Sequence, residues 1–153
     1  MLMEEKLYLF NPFMIKDKSE IDLKNMYSKV FNELNDNPNT MFEYAHNVEV
    51  YSNLNYIVGE VIARLTRDVI ELKTKIKIDT AINTTNERKH WNDGKAPAMS
   101  YFEGIATRMS SEDINKLADK ECSLARFKNA YKSIEEKLNA LKKKMESIKY
   151  EEF

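Results

Sequence analysis

An all-α fold is predicted by three observations: two long tracts with apolar residues at alternating steps of three and four, very few helix breakers, and a high charge content. The chain has 153 residues, 32% of them charged, with only three Gly and three Pro. Charged content exceeds the usual ~25%, and sparse breakers with abundant Glu, Lys, Leu and Ile favour helix. The first tract reads Val48, Tyr51, Asn55, Val58, Ile62, Leu65, Val69, Leu72, Ile76. The second reads Leu117, Leu124, Phe127, Tyr131, Ile134, Leu138, Leu141, Met145, Ile148, with Lys120 interrupting it. This is the spacing of a coiled-coil-like helix seam. Two long helices joined by a modest connection fold back as an antiparallel hairpin. The expected architecture is therefore a long helical hairpin with a short N-terminal helix, an extended N-terminal arm and spare faces for oligomerisation.

Leu2 to Ile15 read as a hydrophobic arm, which Pro12 keeps from forming a continuous helix. An extended segment docking on a neighbour is expected, with a short edge strand as the alternative. Ser19 and Asp22 have the spacing of a capping box, with Asp in place of Glu. Leu23, Met26, Tyr27, Val30, Phe31 and Leu34 follow at helical spacing, and the turn cluster Asn35-Asp-Asn-Pro38 ends that helix. Thr40 and Glu43 form a better capping box and open the first long helix, expected to run to about Asn83. Gly59 is its weak point, costing about 1 kcal/mol against Ala. Leu54, Ile57, Val61 and Ile70 widen its apolar stripe, so this helix should touch more than one partner. The break covers about 84–97, where Asp93-Gly94 signals a turn and Pro97 suits a helix start. A short helix from about Ala98 to Arg108 should bury Met99, Phe102, Ile105 and Met109. Ser110 with Asp113 should cap the last helix, which runs to about Lys149 before a frayed tail. Two parts result: 1–38, arm and short helix, and 39–153, the hairpin with its loop.

Charge is unevenly placed. Through Glu60, five Lys/Arg face ten Asp/Glu; from Val61 onward, nineteen face fifteen. The second part can present a basic surface on an assembled particle, though less strongly than a typical nucleic-acid domain. No basic-then-apolar leader and no run of ~18 apolar residues is present, so neither a signal peptide nor a membrane span is expected. Cys122 is the only cysteine, which fits a reducing, cytoplasmic location and leaves no disulfide framework. It falls inside the second helical pattern and reads as a small buried residue.

Arg88, Lys89, His90, Trp91 and Lys95 form a basic loop around an aromatic. Single-stranded nucleic acid wants this combination: cations neutralise phosphates, and an aromatic face stacks a base. The competing reading is that Trp91 plugs the open end of the hairpin. Many further Lys line both long helices, where exposed Lys pairs with Glu or solvent. Asn55 falls at a seam position, where a buried Asn specifies register and oligomer state; an exposed Asn is the alternative. His46 and His90 lack a metal-ligand spacing, and no GxGxxG, Walker or GxSxG motif is present. These absences point away from an enzyme, a cofactor or a metal.

The stretch Phe42-Glu-Tyr-Ala-His-Asn-Val-Glu-Val-Tyr-Ser52, followed by long helix, polar Gly-containing loop, short helix and long helix, resembles the UvsY-type recombination mediators of tailed bacteriophages over about 40–148. The resemblance implies a homo-oligomeric ring that binds single-stranded DNA, helps displace the single-strand-binding protein and loads a RecA-like recombinase. The family's short Lys/Arg motif for DNA corresponds here to Lys73-Thr-Lys75-Ile-Lys77-Ile-Asp79. Asp79 stands where the family has a second basic residue, which weakens the DNA expectation or shifts it toward the Arg88–Lys95 loop. Lys73, Lys75, Lys77, Arg88, Lys89 and Lys95 are then the phosphate-neutralising candidates, with Trp91 to stack. A protein-only adaptor coiled coil and a small inhibitor of a host protein, anchored by Leu7–Ile15, are the alternatives.

Overall fold

The computed structural model describes residues 15–151. The expected arm up to Met14 lies outside them. Four helices account for the described secondary structure: α1 (Glu20–Phe31), α2 (Met41–Lys89), α3 (Met99–Met109) and α4 (Ser111–Glu151). No strand occurs among the described residues, and the fold is all-α. Contacts group the described residues into two compact units, one that runs to Ala63 and resumes at Arg126, and the other Arg64–Ala125.

Local chemistry sets the starts of α1 and α2. The Ser19 hydroxyl accepts from the Asp22 N–H at 3.1 Å, which caps α1. At α2 the box closes in both directions: the Thr40 hydroxyl accepts from the Glu43 N–H at 3.2 Å, and the Glu43 carboxylate accepts from the Thr40 N–H at 3.3 Å. The same carboxylate accepts from the Asn39 N–H at 2.6 Å. Three otherwise orphaned donors are satisfied at a helix N-terminus that also favours the negative charge.

In the first unit, α1, α2 and α4 share one core. Ile15, Leu23 and Val30 pack with Val50, Leu54, Ile57 and Val58 of α2 and Ile134 of α4. The most buried α2 side chains are therefore not all on the heptad seam. Val58 is buried, but Val48, Tyr51, Asn55 and Ile62 are half-buried, as are Tyr131, Leu138 and Leu141 of α4, while Phe127 is more exposed. The physical reason is α1. It gives α2 a second apolar partner, and the face carrying Val50, Leu54 and Ile57 turns toward it, as the wide stripe requires. The Asn55 Oδ1 is covered and has no hydrogen-bond partner among the described residues.

Asn47 ties the α1–α2 turn down. It is only 4% exposed. Its Oδ1 accepts from the Asn35 N–H and its Nδ2 donates to the Asn35 carbonyl, both at 2.9 Å. His46 Nε2 lies 2.7 Å from the Glu33 carbonyl of the same turn segment. One amide thus serves both backbone groups of a turn residue that no regular element could satisfy.

Asn47→Ala should destabilise the protein by about 1–3 kcal/mol, because it strands the Asn35 backbone groups. Urea unfolding should show a lower midpoint at unchanged slope. Gly59→Ala should act oppositely. Its Cβ would sit 3.8 Å from a Tyr131 ring carbon, an ordinary contact, so helix propensity predicts a gain of about 1 kcal/mol in the same measurement.

Candidate nucleic-acid interface

All the candidate cations and Trp91 fall in the second unit, Arg64–Ala125. The break is shorter than its composition predicts: α2 continues to Lys89. The Thr84 and Thr85 hydroxyls donate to the carbonyls of Thr80 and Ala81, at 2.7 and 3.0 Å. Bonding four residues back lets these hydroxyls sit inside a helix. Arg88 and Lys89 occupy the last turn, where cations complement the helix dipole. The chain then turns at Gly94, whose φ of +78° only glycine adopts without strain.

α3 buries Phe102 and Ala106, while Met99 and Met109 are exposed and Ile105 is half-buried. The expected row of four apolar anchors reduces to Phe102 with Ala106, and Met99 and Met109 are the first and last residues of the helix. Trp91, Tyr101 and Phe102 form a mutual edge-to-face trio, with ring centroids 5.6–6.0 Å apart. The Trp91 Nε1 is covered and has no acceptor among the described residues. Its ring is engaged by packing against α3, the geometry that a plug requires.

α2 and α4 pair here through Asp68 with Lys120, Lys73 with Glu121 and Lys75 with Asp113, and the first and last of these pairs have the antiparallel order. Lys120, which breaks the second tract, pairs with Asp68 at 3.2 Å. Val69 is buried, and Leu65, Leu72, Ile76, Leu117 and Leu124 are half-buried. Cys122, expected to be buried, is exposed. It lies two residues from Leu124, a step of about 200° around the helix that carries it off the seam.

The candidate cations divide into two groups. Lys73 lies 3.2 Å from a Glu121 carboxylate oxygen. Lys75 is hydrogen-bonded to Asp113 and lies 3.2 Å from Asp79 one turn on. By contrast Lys77, Arg88, Lys89 and Lys95 are exposed and have no ion pair among the described residues. The sequence flags Asp113 as a helix cap, yet its carboxylate turns to Lys75. The Ser110 N–H bonds instead to the Ala106 and Thr107 carbonyls that close α3, so no capping box forms there. Glu121 and Asp68 carry no local signal; only the antiparallel register brings them to their cations.

Exposed positions 74, 77, 78, 81, 82, 85, 88 and 89 step along one face of α2 without a carboxylate. Ile78 and Ile82 lie there, 51% and 53% exposed. Sequence reasoning missed them as surface features, although their spacing sets them off the Leu72–Ile76 seam. Among the described residues, no group of three or more His, Cys, Asp or Glu could hold a metal. No helix among the described residues is long and apolar enough to cross a membrane. No family model, curated protein or solved structure gives a significant match to the chain.

The Lys75–Asp113 pair gives the unit a pH dependence. Hydrogen bonding to Lys75 holds the Asp113 carboxyl below its ordinary 3.8. The bonds from Asp113, then Asp79, hold the Lys75 ammonium above its ordinary 10.5. The Asp113 contribution is complete above about 3.8 and disappears as pH falls through its lowered folded value. The Lys75 contribution is complete below about 10.5 and disappears as pH rises through its raised folded value. Melting temperature measured from pH 6 to about pH 2 should fall less in Asp113→Asn than in the native protein, because the variant has no such proton to take up.

Proposed function

We propose that this chain is a non-enzymatic, homo-oligomeric accessory protein that binds single-stranded DNA and assists a RecA-like recombinase in a phage, as its resemblance to the UvsY-type mediators implies. One observation carries the reading: the outer face of α2 from Thr74 to Lys89 holds Lys77, Arg88 and Lys89, which have no ion pair among the described residues, with no carboxylate among them. Lys77 and Arg88 are about 16 Å apart along the axis at ~1.5 Å per residue, a span covering several phosphates of a strand. Lys95 follows in the turn. Ile78 and Ile82 leave exposed apolar surface between these cations. Lys73 and Lys75 contribute less, being already neutralised by Glu121, Asp113 and Asp79. Trp91 steadies the turn rather than stacking a base.

The order α2, Gly-containing turn, α3, α4 agrees with the order that the resemblance implies. Exposed Ile21, Phe31, Phe42 and Ile70 supply apolar surface for subunit contacts, and an oligomer would repeat the small basic face many times. The ion-paired Lys73 and Lys75, with a formal net charge of −1, favour the second reading, an adaptor that binds only protein.

Titration of a labelled single-stranded oligonucleotide at several salt concentrations separates the two. Three or four phosphate contacts predict a log–log salt slope of about −2 to −3. The triple variant Lys77→Glu, Arg88→Glu, Lys89→Glu should lose binding while light scattering gives an unchanged particle mass. A defined particle that binds no strand even at low salt would leave the adaptor reading.

A further inference from the structure

We propose that Asp113, assisted by Asp79, is an internal counter-ion that occupies the phosphate position at Lys75, so that affinity for single strands is set by competition between these carboxylates and DNA phosphate. This rests on the single-strand reading above and assigns to α4 a part in it.

The geometry has three elements. First, the Lys75 ammonium has three N–H donors, and two directions are taken by the chain's own carboxylates, Asp113 across the helix pair and Asp79 one turn along α2. The Lys75 side chain remains 56% exposed, so a strand can reach it. Second, Asp113 is presented rigidly. It stands in the first turn of α4, where the helix N-terminus favours a negative charge, three residues after the Ser110 on which α3 closes. Third, the arrangement is selective along α2. Glu121 holds Lys73 at 3.2 Å in the same way, whereas Lys77, two residues beyond Lys75, meets no carboxylate among the described residues.

A phosphate approaching Lys75 must displace Asp113 or bind beside it, and two anions on one ammonium repel each other. Asp79 adds a second internal anion to the same lysine. Asp113→Asn keeps the shape of the side chain and removes the competitor. The released ammonium then adds one phosphate contact.

The test is oligonucleotide titration of the full chain at several salt concentrations, comparing the native protein, Asp113→Asn, and Asp113→Asn with Lys75→Gln. Asp113→Asn should bind about three- to tenfold tighter at low salt, with a slope steeper by about 0.7, the increment for one further contact with a single strand. The double variant should lose both gains. Glu121→Gln, which frees Lys73, should shift affinity in the same direction and serves if Asp113→Asn folds poorly. Native binding that is unchanged or weakened in Asp113→Asn and Glu121→Gln overturns this inference while leaving the single-strand reading intact. Absence of binding by every protein at low salt overturns both.

Discussion

The organising constraint is the width of the apolar stripe on α2. A helix of 49 residues that faced a single partner would need only a narrow seam. This one carries Val50, Leu54, Ile57 and Val61 beside the heptad positions, a surface too broad for one neighbour to cover. In the first unit the excess is met by α1, which inserts Leu23 and Val30 into the core that α4 closes with Ile134. Asn47 then becomes necessary. Once α1 is docked against α2, the turn between them is partly buried, and its backbone groups need a partner that only a side chain can supply.

In the second unit, the register between α2 and α4 organises charge more than apolar burial. Lys120 meets Asp68, Glu121 meets Lys73, and Asp113 meets Lys75. Exposed pairs of this kind contribute little to stability. Their consequence is for binding: they separate lysines whose charge is already answered from cations whose charge is open. Lys73, Lys75 and Lys77 look equivalent in a row of sequence, yet the facing helix answers the first two and leaves the third.

Much of the local structure was legible in advance because it depends on neighbours in sequence. The Thr40–Glu43 box, the Ser19 cap, the Asp93-Gly94 turn and the short helix before Ser110 each rest on interactions spanning a few residues. The break after α2 was misjudged at its edge. Thr84 and Thr85 suggest a loop by composition, but their hydroxyls find carbonyls one turn back and the helix continues. The candidate interface was legible only in part. Its cations could be listed, but their availability, the packing of Trp91 on Tyr101 and Phe102, and the exposure of Ile78, Ile82 and Cys122 follow from what lies across the helix pair.

By itself, then, the sequence determined that the described chain is helical, where α1 and α2 begin, and that α2 needs more than one apolar neighbour, because periodicity and capping act over one or two turns. Tertiary structure alone decided which face of α2 enters the core, that the Asp113 carboxylate goes to Lys75 and not to a cap, and which lysines stay unanswered. The reason is physical: an ion pair or a buried face between residues 38 positions apart depends on helix register, and register is set by how whole side-chain surfaces pack.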